Sequence, residues 1–451
     1  MSWLSKLFSR HPVNEPFSEA SGTAHFAQAD TADAQHKALP RFKGTAGDKV
    51  RPGGNSRVDQ IRFRLRSAFT PSRPVVTPTM FAGRTALLRK LIRSIEDQHM
   101  HVVLFGARGI GKTSTLHILC RIAREARYVV RYSSCGEETQ FDELFRAILD
   151  DIPLLFHANY EPTADEIEEG LTFASLIGDA PLTVTLVSDI LSKVSGTRVL
   201  IVLDEFDRAS SANFRRMIAE LIKNLSDRAS RVQIVIAGVA SNLNEIIEQI
   251  PSIRRNILGL PLPIMDQEEV VELIRNGENA SGLVFAEPAV QTICKVAHGL
   301  PYLAGLISQH AGIAALDRRQ TVVAIADVIT GVLQACEEIE LQISPNTLHK
   351  VKRARDAGYQ EMLDLLARQA IVSGGRLMPG GENELTGEKM PGLDRLAPLL
   401  GEYDILRAIP KDPADALMFS DEGLPVYLWL QQCRMQFEAP VQGGRVAKPR
   451  N

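Results

Sequence analysis

The sequence predicts an α/β protein in which a doubly wound parallel sheet is followed by an all-helical domain and a C-terminal winged-helix-like domain. Two observations favour the sheet. Apolar runs typical of buried strands alternate with amphipathic helical stretches between residues 58 and 265, and one of these runs leads directly into a glycine-rich octapeptide. A third observation indicates the other two domains: after residue 265 the pattern becomes helical, and only short strand-like pieces recur near the C-terminus.

Length and composition set the broad class. The chain has 451 residues, which is enough for two or three domains, and its 23% charged and 45% hydrophobic residues are usual for a globular protein. A net charge of -3 argues against a chain-wide attraction to nucleic acid, although a local basic patch remains possible. The five cysteines form no C-x-x-C pair, so we expect free thiols and a cytoplasmic location. No apolar run approaches the thickness of a bilayer.

The octapeptide follows the apolar run 101–105 and fits G-x-x-x-x-G-K-[ST] at every fixed position. Backbone N–H groups of such a loop surround phosphate oxygens, and the helix that begins at Lys112 directs its positive dipole end at the same anion. We expect Lys112 to contact the β- and γ-phosphates and the Thr113 hydroxyl to bind Mg²⁺. The alternative is a glycine-rich turn without a ligand. The predicted contact residues are Gly106, Ala107, Arg108, Gly109, Ile110, Gly111, Lys112, Thr113 and Ser114.

A second candidate segment follows the apolar run 199–203, which is typical of a strand buried on both faces of a parallel sheet. Asp204 and Glu205 come directly after it. Ionised groups resist burial, so adjacent carboxylates at the end of a buried strand need a cation or a chemical task. We interpret Asp204 as a magnesium ligand and Glu205 as the group that polarises an attacking water; the alternative is an acidic loop. Asp207 is either a further acid or a helix cap.

Composition also divides the chain into segments. The first residues show no hydrophobic period and are rich in small and polar residues, so we expect a disordered arm. The predicted segments are a disordered arm at 1–57, a sheet domain at 58–265, a helical domain at 266–343, a winged-helix-like domain at 344–437 and a disordered tail at 438–451. The acidic stretch 152–180 indicates an insertion at the edge of the sheet, without an assigned role.

The spacing of apolar residues predicts the strands and helices of the sheet domain. The predicted strands cover residues 101–105, 128–132, 199–203, 232–238 and 258–262. Because the last strand contains a proline, it is expected at an edge of the sheet or to end at that residue. The predicted helices before and between the strands cover residues 87–95, 112–126, 141–148, 182–194 and 213–225.

The C-terminal third is predicted as helices and a small wing. The predicted helices cover residues 268–276, 287–297, 301–315, 324–341, 351–369 and 393–400, with a last one around 427–430. Strand-like pieces at 405–409 and 416–419 flank the turn 410–413. The presumed recognition helix 393–400 carries one arginine beside one aspartate, whereas reading a duplex requires several cations and base-edge donors. Protein–protein contact is therefore its expected use, and the basic cluster at 350–355 is expected to be a solvated face.

Together these motifs resemble the AAA-type P-loop ATPases, in particular the origin-recognition-complex-like branch and the STAND signalling NTPases. The resemblance covers residues 73–315 and implies a P-loop NTPase fold, ATP and Mg²⁺ as ligands, and ATP hydrolysis. The sequence Phe-Ala-Gly-Arg at 81–84 is similar to a family motif that lies beside the adenine pocket. The resemblance therefore implies that Phe81 and Arg84 contact the nucleotide.

The resemblance also implies two groups that act on the γ-phosphate. Sensor 1 falls at residues 241–242, and Asn242 is the better candidate because its amide can both donate and accept. Arg254 and Arg255 stand where the family carries an arginine finger that acts on a neighbouring subunit's nucleotide. The equal alternative for these arginines is a solvated helix end. If one of these arginines is a finger, the active form is an oligomer or a complex, because the finger acts on a neighbouring subunit's nucleotide.

Two departures leave the branch of the family open. A sensor 2 arginine has no obvious counterpart, and residues 298–302 instead resemble the G-x-P lid motif of STAND NTPases, in which Pro301 contacts the nucleotide. The alternative is a helix–turn–helix corner, with Gly299 ending one helix and Pro301 beginning the next. The arginine that NLR-type members carry at the sensor 1 strand is also missing.

The predicted function is a Mg²⁺-dependent ATPase, slow or stimulated by a partner, that acts as a molecular switch. Its C-terminal domain would pass the nucleotide state to a protein partner. One alternative is a DNA-associated loader or transposition-helper ATPase. Another is a scaffold that holds ATP or ADP without hydrolysis.

Overall fold

A computed structural model of the protein describes residues 57–161, 163–240, 255–382, 387–409 and 415–438. These residues belong to one compact unit that spans Pro52–Asn451. Several predictions concern residues outside the described ranges. They are the predictions for the N-terminal arm, Asn242, Arg254, the turn 410–413 and the C-terminal tail.

A five-stranded sheet forms the centre of the fold, in the order β2-β3-β4-β1-β5. Its strands are β1 (His101–Gly106), β2 (Val129–Ser134), β3 (Val199–Asp204), β4 (Val232–Val239) and β5 (Ile257–Pro261). Every pairing is parallel, so the carboxyl ends of all strands lie at one edge of the sheet. β5 lies at an edge and ends at Pro261, where a missing N–H removes no ladder bond.

Helices cover both faces of the sheet. They are α2 (Thr85–Glu96), α3 (Lys112–Glu125), α4 (Phe141–Asp150), α5 (Ala164–Glu168), α6 (Val184–Leu191) and α7 (Ala212–Asp227). One apolar core, containing Leu91 and Leu116, places α2 and α3 on the same face. The second core, containing Phe145 and Leu221, places α4, α6 and α7 on the other face. The predicted doubly wound α/β fold is therefore confirmed.

The acidic segment 152–180 contains little regular structure. It consists of the short α5 and two 3-10 turns, Leu154–Phe156 and Phe173–Leu176. Phe173 is fully buried in the core beneath α4, α6 and α7, which fixes the segment to that face of the sheet.

A helical domain follows the sheet, and we call it the lid. Its helices are α8 (Gln267–Ser281), α9 (Glu287–Ala297), α10 (Pro301–Asp317) and α11 (Ile325–Glu340). The lid was predicted to be all-helical, but Val284–Phe285 and Val322–Val323 also form a short parallel pair, β6 and β7. This pair joins the loops that precede α9 and α11.

The first described helix, α1 (Arg57–Ala68), was not predicted. Ile61 and Leu65 stand one helical turn apart, and both are buried in the apolar core of the lid. Arg62 forms an ion pair with Asp317 at 2.7 Å. The helix therefore packs on the lid although it precedes the sheet in sequence.

The C-terminal part has helices and a small wing. They are α12 (Pro345–Ala354), α13 (Gln360–Val372), α14 (Leu393–Leu400), β8 (Leu406–Ala408), β9 (Leu417–Phe419) and α15 (Leu424–Glu438). β8 and β9 pair antiparallel, so the predicted winged-helix-like arrangement is confirmed. The single helix predicted at 351–369 was wrong: Gly358 has φ 91°, which breaks the helix between α12 and α13.

The cysteines are all free thiols, as expected; four are buried and Cys294 is partly buried. In the ranges given above, none of the helices is both long and apolar enough to cross a bilayer.

Helices α10 and α11 of the lid approach each other closely at Gly331. A β-carbon on Gly331 of α11 would lie 2.9 Å from the Ala311 nitrogen and 2.9 Å from the Ile307 oxygen, both backbone atoms of α10. We expect Gly331→Ala to lower stability by about 1–3 kcal/mol, because backbone cannot move aside without separating the helices. Calorimetric melting of the purified protein measures this change.

Gly305→Ala is the matched control, since a β-carbon at this position in α10 would meet nothing within 4 Å. We expect this variant to be unchanged or more stable, by up to about 1 kcal/mol of helix propensity. Equal melting temperatures for the two variants would contradict the packing described for α10 and α11.

Candidate nucleotide site

A cavity of about 790 Å³ lies at the carboxyl edge of the sheet. Its walls come from the phosphate loop (residues 106–113) and the start of α3, from the ends of β3 and β4, from the lid, and from the segment 68–75. Thr113 and Asp204 both line it, as does Glu422 from the C-terminal part. Segments that are distant in sequence therefore meet in one cavity.

The phosphate loop reaches its shape through glycines. Gly109 and Gly111 have φ of 74° and 96°, a left-handed conformation that favours glycine, and α3 begins directly after Gly111. The Lys112 ammonium donates to the carbonyls of Gly106 at 2.9 Å and Ala107 at 2.7 Å. Burial lowers the pKa of Lys112 to about 8, although the nearby carboxylates of Asp207 and Asp204 oppose this shift. An anion in the cavity would stabilise the charged form of this lysine.

Asp204 is a buried carboxylate with a donor on each oxygen. Its side chain is 2% exposed. The Tyr132 hydroxyl donates to Oδ2 at 2.8 Å, and the Glu205 backbone N–H donates to Oδ1 at 2.8 Å. Burial and this hydrogen bond raise the pKa of Tyr132, so its hydroxyl remains a neutral donor. The carboxylate is therefore held in one orientation with a lone pair remaining on each oxygen.

Glu205 lies at the rim of the cavity and is held by two donors. Its backbone is left-handed, with φ 52°. The Ser134 hydroxyl donates to Oε2 at 3.1 Å, and Arg208 donates to the same oxygen at 2.7 Å. The ion pair with Arg208 is solvent-exposed, so it is weak and can open at little cost.

Asp207 joins the ends of two strands. Its Oδ1 accepts the Val239 backbone N–H at 2.8 Å, so the turn after β3 is fixed to the end of β4. Of the two predicted roles, that of a helix cap is not observed. Asp207 also lines the cavity, which leaves the role of a further acid possible.

Arg84 supports the phosphate loop from behind. Its guanidinium donates to the Ile110 carbonyl and, at 3.2 Å, to the Pro263 carbonyl, while its backbone N–H donates to Glu269 of α8 at 2.6 Å. Burial lowers the pKa of Arg84 to about 10, an effect that Glu269 opposes. The described residues that line the cavity include neither Arg84 nor Phe81, which packs against the core beneath α2 and α3.

The predicted contact residues divide between two cavities. Arg108, Gly109 and 111–114 line the large cavity. Gly106, Ala107 and Ile110 instead face a cavity of about 160 Å³, whose opposite wall is residues 372–374. The Ser114 hydroxyl accepts the Val75 N–H at 3.0 Å, which fixes the segment before α2 against α3.

The corner between α9 and α10 forms the lid side of the cavity. Gly299 has φ 76°, and a β-carbon there would lie 2.4 Å from the Met265 carbonyl. Pro301 begins α10 and lines the cavity together with Tyr302. Residues 298–302 were interpreted either as a lid motif that contacts the nucleotide or as a helix–turn–helix corner. The two interpretations are compatible, because this corner is itself a wall of the cavity.

Glu422 brings the C-terminal part into the site. Its carboxylate pairs with Arg108 of the phosphate loop at 3.0 Å and lines the cavity. Nearby, Trp429 of α15 packs against His298 with ring centres 4.8 Å apart and donates to the Val296 carbonyl at 2.7 Å. The C-terminal part thus contacts both the phosphate loop and the lid corner.

Arg255 lies at the opposite edge of the sheet from this cavity. It is exposed and precedes Ile257, which pairs with His101 at the start of β1. A strand of this length spans about 17 Å, so Arg255 is remote from the phosphate loop of its own chain. A role as arginine finger requires a second subunit.

Four side chains at or beside the cavity were not identified from the sequence. They are Tyr132, Ser134, Arg208 and Glu422. The parallel pairing of Ser134 with Asp204 offered a signal for the first two, because a strand beside β3 must place its last residues next to the acidic pair. No local sequence pattern marked Glu422, since its place beside the cavity depends on how the C-terminal part packs.

Comparisons with known proteins found one matching family and several similar solved structures. Residues 81–236 match the family described as AAA ATPase domain. No curated protein matches the chain. A solved structure of a Walker-type ATPase of Pyrococcus abyssi is similar at 15% identity, over 80% of this chain and 99% of that chain, with TM-score 0.48. Cdc6p of Pyrobaculum aerophilum is similar at 17% identity, over 83% of this chain and 98% of that chain, with TM-score 0.42. The RuvB Holliday junction branch migration motor of Thermotoga maritima is similar at 16% identity, over 81% of this chain and 98% of that chain, with TM-score 0.41.

The family match contains the phosphate loop and the acidic pair Asp204 and Glu205, and the structure places both at one cavity. The chain therefore carries an AAA ATPase domain, and the prediction of an AAA-type P-loop ATPase is confirmed.

Proposed function

We propose that the protein is a Mg²⁺-dependent, ATP-hydrolysing switch that reports its nucleotide state to a protein partner through its C-terminal part. One observation carries the proposal. The same cavity is lined by the phosphate loop, by Asp204 and Glu205, by the lid corner and by Glu422. A ligand that fills this cavity would therefore contact each of the parts that a switch has to connect.

The cavity fits a nucleoside triphosphate in charge and size. At one end, loop N–H groups, the start of α3 and Lys112 provide an anion site. The lining also includes the apolar residues Val75, Met80 and Leu273, which are suited to contact a base. Its volume lies within the range of small-molecule sites. Adenine rather than guanine is proposed from the family resemblance, because the sequence contains no guanine-reading N-K-x-D motif after its later strands.

The donor set near the phosphate site fits Mg²⁺. Thr113 supplies a hydroxyl oxygen and Asp204 a buried carboxylate, and Mg²⁺ prefers oxygen ligands of this kind. When bound, the ion neutralises charge on the β- and γ-phosphates. Thr113 and Asp204 would hold it from the two sides of the cavity.

Hydrolysis would depend on Glu205, whose carboxylate is the group placed to polarise water. In the structure its Oε2 accepts hydrogen bonds from Ser134 and Arg208, and the exposed pair with Arg208 can open as the carboxylate turns toward water. Turnover is proposed to be slow or stimulated by a partner. Asn242 and an arginine of a second subunit, Arg254 or Arg255, are proposed to stabilise charge on the γ-phosphate.

The contact between Arg108 and Glu422 supports the coupling to the C-terminal part. Glu422 presents a negative charge at the cavity in which the phosphates would bind, close enough to oppose the lowered pKa of Lys112. A bound triphosphate would compete for Arg108 and repel Glu422. The C-terminal part would then move away from the phosphate loop and change the surface that it offers to a partner.

The alternative of a DNA-associated ATPase has less support from the basic cluster of α12. Lys350 pairs with Asp404 at 2.6 Å, and Arg353 lies 4.0 Å from Glu402 and against the Tyr403 ring. These acidic partners reduce the charge available to phosphates. A gel shift with duplex DNA that depends on salt and is strengthened by ATP would favour the alternative.

Variants of the two motifs test the ATPase. We expect Lys112→Ala to abolish nucleotide binding, because the anion site loses its buried cation. Glu205→Gln should still bind ATP but hydrolyse it at least about 100-fold more slowly, the usual effect of losing a general base. Phosphate release and equilibrium binding measure the two effects. A wild-type protein that binds ATP but releases no phosphate would instead support the idle scaffold.

The lowered pKa of Lys112 predicts a pH dependence. Below about pH 8 this lysine is charged and binds phosphate; as pH rises through that value it becomes neutral, and nucleotide affinity falls. Binding above pH 8 must therefore take up a proton. Calorimetry in buffers of different ionisation enthalpy should show this uptake at pH 9 and little at pH 6.5. Lys112→Arg, which stays charged, should show none, and equal uptake by both proteins would rule out Lys112 as its source.

Removal of one charge tests the coupling. Glu422→Gln keeps the shape of the side chain, and we expect it to tighten ATP binding about twofold to fivefold, with a smaller effect on ADP. This corresponds to ~0.4–1 kcal/mol, typical of a partly exposed charge pair. The control is Glu402→Gln, an equal charge change on the same part of the chain but outside the cavity lining. Equal effects of the two variants would remove the evidence for coupling through Glu422.

A further inference from the structure

We propose that Tyr132 is a positioning residue for magnesium, which acts by holding the Asp204 carboxylate in the orientation that binds the ion. The inference rests on the proposed function, since it deepens the account of the same site. It adds a residue of β2 that neither the phosphate loop nor the acidic pair includes.

The first support is the hydrogen bonding of Asp204. The Tyr132 hydroxyl donates to Oδ2 at 2.8 Å, and the only other donor to this carboxylate among the described residues is the Glu205 N–H on Oδ1. The side chain is 2% exposed, so water contributes little. Tyr132 is thus the only side chain in the described part of the protein that donates to this carboxylate. Groups that donate to a metal ligand in this way fix its orientation.

The second support is the placement of Tyr132 itself. Its ring stacks on the His117 ring, with centres 4.6 Å apart and an angle of 24° between planes. His117 lies on α3 one helical turn after Thr113, on the same face of that helix. The helix that carries the Thr113 hydroxyl therefore also fixes the ring of Tyr132. Through His117 and Tyr132, the two proposed magnesium ligands are held relative to each other across the sheet.

The third support is the geometry of the strands. β2 and β3 pair in parallel register, with Tyr132 opposite Val202 and Ser134 opposite Asp204. Backbone pairing alone fixes the Asp204 main chain but leaves its side chain free to turn. The diagonal reach of a long aromatic side chain from β2 supplies the missing constraint. A shorter residue at this position would not reach Oδ2.

Tyr132→Phe tests the proposal, because it removes the hydroxyl and retains the stacked ring. The measurement is binding of a fluorescent, non-hydrolysable ATP analogue during a titration with Mg²⁺, and separately in excess chelator. We expect the Mg²⁺ concentration at half-saturation to rise about tenfold, the lower end of what such supporting groups contribute to metal affinity. Affinity for the analogue in chelator should stay as in the wild type, whereas the melting temperature should fall modestly, because a buried carboxylate loses one of its two donors.

Two further variants separate a positioning role from a general structural one. Tyr128→Phe removes a hydroxyl just before β2, away from the cavity lining, and should leave the Mg²⁺ titration unchanged. In an Asp204→Asn background, Tyr132→Phe should have no further effect on the Mg²⁺ requirement, because the ligand that it orients is already lost.

Each remaining result has a distinct meaning. An unchanged Mg²⁺ titration in Tyr132→Phe, or equal losses of affinity with Mg²⁺ and with chelator, would overturn the role of Tyr132. A wild-type protein whose nucleotide binding does not respond to Mg²⁺ would instead overturn the magnesium part of the proposed function. Failure of the inference and failure of the function are thereby distinguished.

Discussion

The parallel pairing of β1, β4 and β3 is the constraint on which the site depends. Because parallel strands end at the same edge, the loop after β1, the carboxylate that ends β3 and the end of β4 must meet there. The strands β3 and β4 are buried on both faces, so a change of register would disrupt their close packing against the helices on each side. The cavity is thus a consequence of sheet topology, and the lid and C-terminal part close it from outside.

Burial of charge is the second constraint. Lys112, Asp204 and Arg84 are all buried, and each is paired by groups that also shape the site: loop carbonyls, the Tyr132 hydroxyl, and the Ile110 and Pro263 carbonyls. Burying such groups is costly unless they are hydrogen-bonded. The lowered pKa of Lys112 shows that its charge is only partly compensated by protein groups. In the proposed function, the phosphates of the nucleotide would complete this compensation.

Sequence reasoning succeeded where a local pattern determines the structure. The strands, the phosphate loop and the acidic pair follow from hydrophobic runs, glycines and a charge after a buried strand, which need no tertiary information. It failed where tertiary packing decides: the apolar side chains of α1 that face the core include Val58, Ile61 and Leu65, and this short stripe gains meaning only against the lid. The break at Gly358 was hidden in a continuous helical pattern. Arg84 was assigned to the nucleotide by resemblance, whereas its contacts place it behind the loop. Glu422 lies beside Arg108 only because α15 packs on the lid.

In the proposed function, a nucleotide and its magnesium ion bind between the phosphate loop and β3. The most direct test is a crystal structure of the protein grown with Mg²⁺ and a non-hydrolysable ATP analogue. The expected result is phosphates along residues 109–113 and one metal ion that contacts the Thr113 hydroxyl, with Asp204 as a ligand or hydrogen-bonded to its bound water. A nucleotide outside this cavity, or a metal ion on its phosphates that engages neither Thr113 nor Asp204, would contradict the claim.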